Sequence, residues 1–324
     1  MPDSEMLTAY APASIGNVSL GFDLLGAALA PIDGAVLGDT VTVHPSDSFS
    51  LSVEGRFAHK LPGKPAENIV TRCYAFYLKA LEAKGKSAKP LSLTLNKHLP
   101  VGSGLGSSAS SIVAAFHGLN VYHGSPFSDD ELLRMMGELE GSISGSVHYD
   151  NVAPCFLGGL SLMAESGDRV ALPLPTFENW YWVVCYSGIS VSTSAARKIL
   201  PTAFSLADTI QFGRQLAVFI DALHRQDETL AASVMQDVIA EPHRKSLLPM
   251  FDESKAFALA QGALAFGISG SGPTVFAVTN ELENAKVINS WLEKHYIQND
   301  DGFSHICRIN NDGAIANVAS ANKK

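Results

Sequence analysis

The stretch LPVGSGLGSSASS, Leu99 to Ser111, sets glycines 102, 104 and 106 directly against Ser107 and Ser108. Glycine lets an anion approach the main chain, and a helix N-terminus offers unpaired N–H groups and a favourable dipole to negative charge. The chemistry this suits is phosphate binding, and with it nucleotide binding. Two familiar phosphate loops do not fit. A Walker loop needs Lys ahead of Ser or Thr, and none is present here. A dinucleotide loop needs its third glycine where Ser107 stands and an acid near Val121 to Gly124, and both are missing.

Two further stretches hold groups that could act on a small molecule. Gly141 to Pro154 (GSISGSVHYDNVAP) is too polar and glycine-rich for a core element, yet it gathers His148, Asp150 and Asn151 within four residues. SIGNVSLGFDLLGAAL, from Ser14, has Gly16, Gly21 and Gly26 to break any helix and leaves Asn17 and Asp23 on a pliant backbone, in a functional loop or a bulged strand. A second glycine loop, FGISGSGPTVFAVT with Gly267, Gly270 and Gly272, is expected to precede a strand rather than follow one.

The elements around these residues follow from periodicity. Leu91, Leu93 and Leu95 alternate with polar residues as a half-buried strand before the first loop, and Ser108 to Tyr122 reads as the helix after it. Strands are expected at 7–13, 36–44 and 49–53, and a helix at 68–83 ended by Gly85. Ser128 and Glu131 have capping-box spacing and open a helix ending near Gly141. Strand-like runs begin at Phe156, Arg169 and Trp180. Helices are then expected at 206–224, at 229–240 closed by Pro242, at 251–265 and at 285–295, with a last strand at 303–309. A chain of 324 residues suits two domains, divided here as 1–166 and 167–324.

Composition narrows the class of function. The chain is 46% hydrophobic and 17% charged, which is that of a folded globular protein. With a net charge of −9 and no basic cluster, neither nucleic acid nor an anionic membrane is expected as the main partner. The acidic start MPDSEMLTAY and the lack of a long apolar run lead to a cytoplasmic expectation. Cys73, Cys155, Cys185 and Cys307 lie far apart in apolar surroundings and read as reduced, buried thiols, and the ten histidines show no metal spacing.

Three glycine-bearing segments in this order resemble the GHMP kinases: APASIGNVSLGFDLLG (Ala11 to Gly26), PVGSGLGSSAS (Pro100 to Ser110) and ISGSGPT (Ile268 to Thr274). With ELEGSISGSVHYDNVAP (Glu138 to Pro154), STSAAR (Ser192 to Arg197) and EPHR (Glu241 to Arg244), the chain is similar to the branch of that family acting on L-homoserine. The resemblance covers nearly the whole chain. It implies an α/β (α+β) fold with a ribosomal S5-like N-terminal domain and a ferredoxin-like C-terminal domain, and ATP between them.

The resemblance also implies roles for single residues. Pro100, Gly102, Ser103, Gly104, Leu105, Gly106, Ser107 and Ser108 would hold ATP, and Ser108 with Glu140 would take Mg²⁺ through hard oxygen ligands. Asn17, Asp23 and His148 would lie against the amino acid, and Arg197 and Arg244 would take its carboxylate. Glu140, His148 and Asn151 would work at the reacting end. Asn151 occupies the place where other relatives put an aspartate base, and a carboxamide cannot be one. Direct attack of the hydroxyl is therefore expected, with His148 as a group that could orient it and Asp150 not the base. Threonine is the expected competitive inhibitor and a homodimer the expected assembly.

Overall fold

A computed structural model describes residues 6–319. The N-terminal half runs β1 (Met6–Pro12), β2 (Ser14–Gly16), β3 (Leu25–Pro31), β4 (Gly38–Pro45), β5 (Ser50–Glu54), α1 (Ile69–Ala83), β6 (Leu91–Asn96), α2 (Ser107–Tyr122), α3 (Asp129–Ser144), α4 (Val152–Leu157), β7 (Leu160–Ser166) and β8 (Arg169–Leu174). The C-terminal half adds β9 (Tyr181–Tyr186), α5 (Thr193–Lys198), α6 (Leu206–Arg225), α7 (Glu228–Ser233), α8 (Glu241–Arg244), α9 (Phe251–Ala260), β10 (Ala265–Ile268), β11 (Val275–Thr279), α10 (Leu282–His295), β12 (Phe303–Ile309) and β13 (Ile315–Ala319).

One sheet has the order β13-β1-β4-β6-β5, and an eight-stranded sheet has the order β10-β11-β9-β12-β3-β7-β8 with β2 paired to β3. The line drawn between 166 and 167 falls in the turn of the β7–β8 hairpin, where Ser166 faces Arg169. The larger sheet takes β2, β3 and β7 from one side of that line and β8 to β12 from the other, so the two halves share it.

Helix α2 is the axis of the N-terminal half. Its small residues Ala109, Ser110, Ser111, Ala114 and Ala115 are all buried, and a Cβ on Gly118 would lie 3.2 Å from that of Ala9 on β1. The helix therefore sits close on the sheet. Ile112, Val113, Phe116 and Leu119 join the core on it, each burial stabilising by roughly 1.5–3 kcal/mol. Packing of this kind fixes where the helix N-terminus points, and the phosphate loop stands there. The capping box of Ser128 and Glu131 forms as expected at the start of α3.

Several elements differ from expectation for identifiable reasons. Helix α3 runs beyond Gly141 to Ser144 and ends at Gly145, whose φ of 90° suits only glycine well. Val152–Leu157 forms a helix, so the strand expected from Phe156 starts at Leu160 instead. The helix expected over 229–240 stops at Ser233. Pro242 starts α8 rather than closing a helix, because a first-turn residue has no N–H bond to lose. The turn before it is made by the Asp237 carboxylate, which accepts from the N–H groups of Ile239, Ala240 and Glu241 at 2.7, 2.8 and 3.0 Å. The helix from Phe251 ends at Ala260, just before Gly262 with a φ of 83°, and Ala265–Ile268 becomes β10. The second glycine loop thus lies between two paired strands rather than only before one. β13 was not expected at all. It adds to the edge of β1, with Leu7 opposite Val318.

Candidate active site

Glycines 102, 104 and 106 have φ of 68°, 82° and 65°, the left-handed region that other residues enter at a cost. The loop they form is pinned from three sides. Ser14 N–H donates to Leu105 O at 3.1 Å, Val191 N–H to Gly102 O at 2.9 Å and Thr274 N–H to Ser103 O at 3.1 Å. Ser269 Oγ donates to Gly104 O at 2.6 Å. The first motif, the segment before α5 and the second glycine loop are thereby assembled around one phosphate loop. A Cβ on Gly104 would lie 2.4 Å from Ser269 O and 2.8 Å from Gly272 O. Gly104→Ala is expected to cost about 1–3 kcal/mol of stability and to raise the KM for ATP. A melting curve and an ATP titration check this, and an unchanged melting temperature would contradict it.

The loop delivers the chain to α2 through Gly106, an N-cap with no side chain to occupy the first-turn N–H groups. Beneath it, Lys97 and Asp39 form a buried ion pair. Lys97 Nζ also donates to Ser107 O at 2.7 Å and Ser111 Oγ at 2.9 Å, while Asp39 Oδ1 accepts from the N–H groups of His98 and Leu99 at 2.9 and 3.0 Å. One ion pair therefore fastens both ends of the loop. Neither residue was expected in the site. Lys97 reads as the polar end of a strand, and Asp39 lies on another strand with no local motif.

A cleft of about 700 Å³ opens beside the loop, lined by Gly102, Ser108, Glu140, His148 and Asn151 among others. That volume suits a small-molecule site. Leu61, Pro62 and Ile69 add apolar wall that no sequence signature marked. Pro100 and Leu105, expected with the ATP-holding residues, are buried and do not line the cleft. The Leu105 side chain packs in the core and its N–H already donates to Ser103 Oγ at 3.3 Å, so the residue anchors the loop.

Glu140 on α3 and Ser108 on α2 meet at this wall, with Ser108 Oγ donating to Glu140 Oε1 at 2.6 Å. Burial pushes the Glu140 pKa up, against the opposing effect of the Ser108 bond. Asn151 Oδ1 accepts from Ser14 Oγ at 2.9 Å, and a Cβ on Gly106 would lie 3.1 Å from that same oxygen. Asn151 is therefore held against the phosphate loop. His148 pairs through Nδ1 with Asp150 Oδ1 at 3.1 Å. Burial pushes the His148 pKa down, but the Asp150 bond and the charges of Asp150, Glu140 and Asp23 outweigh it and leave it raised.

The remaining expected residues form a second cluster. Asn17 and Asp23 sit in the turn between β2 and β3, where Asn17, Val18, Ser19 and Asp23 have φ of 70°, 46°, 63° and 58°. Strain of this kind at non-glycine residues gathers at functional sites. Arg197 Nη2 donates to both oxygens of Asp23 at 2.9 and 2.8 Å. Arg244 donates from Nε to Ala196 O at 3.0 Å and from Nη1 to Gly270 O at 2.8 Å. The ring of Phe22 lies 5.6 Å from the Arg197 guanidinium and 5.2 Å from that of Arg244. None of Asn17, Asp23, Arg197 and Arg244 lines the cleft, but Gly270 does, and its carbonyl also accepts from Asn17 Nδ2 at 3.2 Å. The two groups of residues thus abut through Gly270.

A glycine loop on a helix N-terminus, a hydroxyl and a carboxylate as hard oxygen donors and a neighbouring set of fixed charges are the groups that phosphoryl transfer uses. Family models for the GHMP kinases N terminal domain and the GHMP kinases C terminal match residues 68–159 and 219–298. The crystal structure of homoserine kinase from Cytophaga hutchinsonii is 33% identical over 98% of both chains, with a TM-score of 0.86. A Listeria monocytogenes protein provisionally named a homoserine kinase is 25% identical over 96% of this chain and 98% of that one, with a TM-score of 0.69. The mevalonate kinase of Methanococcus jannaschii shares the fold at 14% identity, covering 95% of this chain and 99% of its own, with a TM-score of 0.66. The chain belongs to the GHMP kinase family of ATP-dependent phosphotransferases. Among the described residues no helix is long and apolar enough to cross a membrane.

Proposed function

We propose that this chain is a homoserine kinase, transferring the γ-phosphoryl group of ATP to the terminal hydroxyl of L-homoserine. The observation that carries the reading is the charged cluster abutting the phosphate cleft at Gly270. Homoserine is a zwitterion, and Asp23 with Asn17 suits its ammonium while Arg197 and Arg244 suit its carboxylate. The likeness to the Cytophaga enzyme supports it. Mevalonate carries no ammonium and would leave Asp23 without a ligand partner.

Ser108 and Glu140 fit Mg²⁺ by the chemistry of their oxygens. Among the described residues no group of three His, Cys, Asp or Glu could hold a metal, and Mg²⁺ commonly takes few protein ligands beside phosphates. When bound, the ion would neutralise charge on the phosphates. The residues of the chain then have the work of positioning: the loop and α2 hold the phosphates, the charged cluster holds the amino acid, and Asn151 hydrogen-bonds the hydroxyl. With no carboxylate in Asn151's place, transfer depends on geometry and electrostatic stabilisation.

Asn151→Ala is expected to slow turnover by roughly a hundredfold without introducing or removing an acidic limb in the pH profile of kcat. Loss of an acidic limb would mean that a true base had been removed. The function itself is tested by coupled ADP release with L-homoserine and with mevalonate as acceptors. Release with homoserine no greater than with buffer would end this reading. Threonine, whose hydroxyl is one carbon closer to the amino-acid head, is expected to compete with homoserine in that assay.

A further inference from the structure

Asp150 is buried, 3% exposed, and does not line the cleft, whereas its neighbours in the fold His148 and Asn151 do. A carboxylate turned away from the cleft cannot take a proton from a substrate in it. On the cleft side it pairs with His148, through Nδ1 at 3.1 Å. A carboxylate oxygen accepts hydrogen bonds, so this contact is made with the proton on Nδ1. In the neutral ring the lone pair is then on Nε2. That atom is buried and has no hydrogen-bond partner among the described residues, on a side chain that lines the cleft and is itself only 8% exposed.

Asp150 is also held from its far side. Gly16 and Gly26 face each other across β2 and β3. A Cβ on Gly26 would lie 1.7 Å from Asp150 O, and one on Gly16 would lie 2.5 Å from Asp150 Oδ2. Only glycine admits the Asp150 backbone and carboxylate at both places. These two glycines of the first motif thus have a use separate from chain flexibility: they seat Asp150.

We propose that Asp150 is a positioning residue, whose carboxylate holds the His148 ring in the Nδ1–H tautomer with Nε2 turned to the cleft as acceptor for an N–H or O–H of the amino-acid substrate. The role of His148 toward that substrate rests on the homoserine kinase reading, while the tautomer does not. A buried imidazole with an unpartnered nitrogen is costly to leave unsatisfied. The substrate's donor supplies the missing bond, and Asp150 ensures that the ring presents an acceptor there.

The experiment is a double-mutant cycle with Asp150→Asn and His148→Gln, read by steady-state kinetics and by two-bond ¹H–¹⁵N correlation of the imidazoles. His148→Gln identifies the His148 signals by their loss. In the wild type, above the titration of the ring, the signals are expected to be those of the Nδ1–H tautomer. Asp150→Asn, whose amide can donate to Nδ1, is expected to shift them toward the Nε2–H form and to raise the KM for homoserine roughly tenfold, with the KM for ATP unchanged. In the His148→Gln background the same substitution is expected to add nothing, since the effect passes through the ring. An Nε2–H ring in the wild type overturns the proposal whatever the stability of the variant. So does a further loss when Asp150→Asn is added to His148→Gln. A wild type that shows the Nδ1–H ring but no turnover of homoserine overturns the substrate reading and supports the tautomer.

Discussion

Glu140→Gln is expected to lower kcat by about 10²–10³-fold while raising the melting temperature of the ligand-free protein. The first effect follows from its place. Glu140 accepts a hydrogen bond from Ser108 at the cleft wall, and for the Mg²⁺ ligand proposed above, losing a stabilisation of several kcal/mol corresponds to that range. Gln keeps the shape and can still accept from Ser108 Oγ, so lost activity would reflect the lost charge. The second effect follows from burial, which pushes the Glu140 pKa up. The folded chain then holds the proton more tightly than the unfolded one. Its contribution to stability is present below the ordinary carboxylate range and is lost as pH rises through the raised pKa. At neutral pH the ionised group opposes folding, and a neutral Gln removes that opposition. Melting curves of both forms between pH 4 and pH 8, without nucleotide, are expected to diverge as pH rises; curves that stay parallel would count against this account of Glu140.

The sites were legible where chemistry is written in consecutive residues. Glycines 102, 104 and 106 ahead of two serines announce a phosphate loop because each has a positive φ and the serines begin a helix. Glu140, His148 and Asn151 sit on a motif and do line the cleft with the loop. What the sequence hid is what only tertiary structure joins. Lys97, just past the end of β6, meets Asp39 on the adjacent strand β4, and nothing local to either marks a buried ion pair. Gly16 and Gly26 looked like helix breakers, but their positions are set by Asp150, which is far along the chain. The errors in the elements have the same origin. The short buried run Ala265–Ile268 is as compatible with the end of a helix as with a strand. Its pairing with β11 decides the matter, and pairing is not a local property.

The same dependence on tertiary joining makes Arg244 more sensitive than its half-buried neighbour Arg197. Arg244→Lys is expected to raise the KM for homoserine roughly a hundredfold, with a smaller change in the KM for ATP. Arg244 is 3% exposed, and burial pushes its pKa down, with Arg197 lowering it further against the opposing charges of Asp237, Asp23 and Asp150. Its planar fork reaches Ala196 O on α5 with one nitrogen and Gly270 O with another. It thus ties the helix carrying Arg197 to the loop shared by both halves of the site. Lysine keeps the charge but has one nitrogen, and it cannot hold both carbonyls and also meet a carboxylate in the plane of a fork. Arg197 offers the contrast. Its side chain and that of Asp23 are 33% and 34% exposed, so water screens their ion pair and Arg197→Lys is expected to have the milder effect. Initial rates for the two variants over a homoserine series decide this. If Arg197→Lys raised the KM as much as Arg244→Lys, the buried fork would not be what orders the amino-acid site.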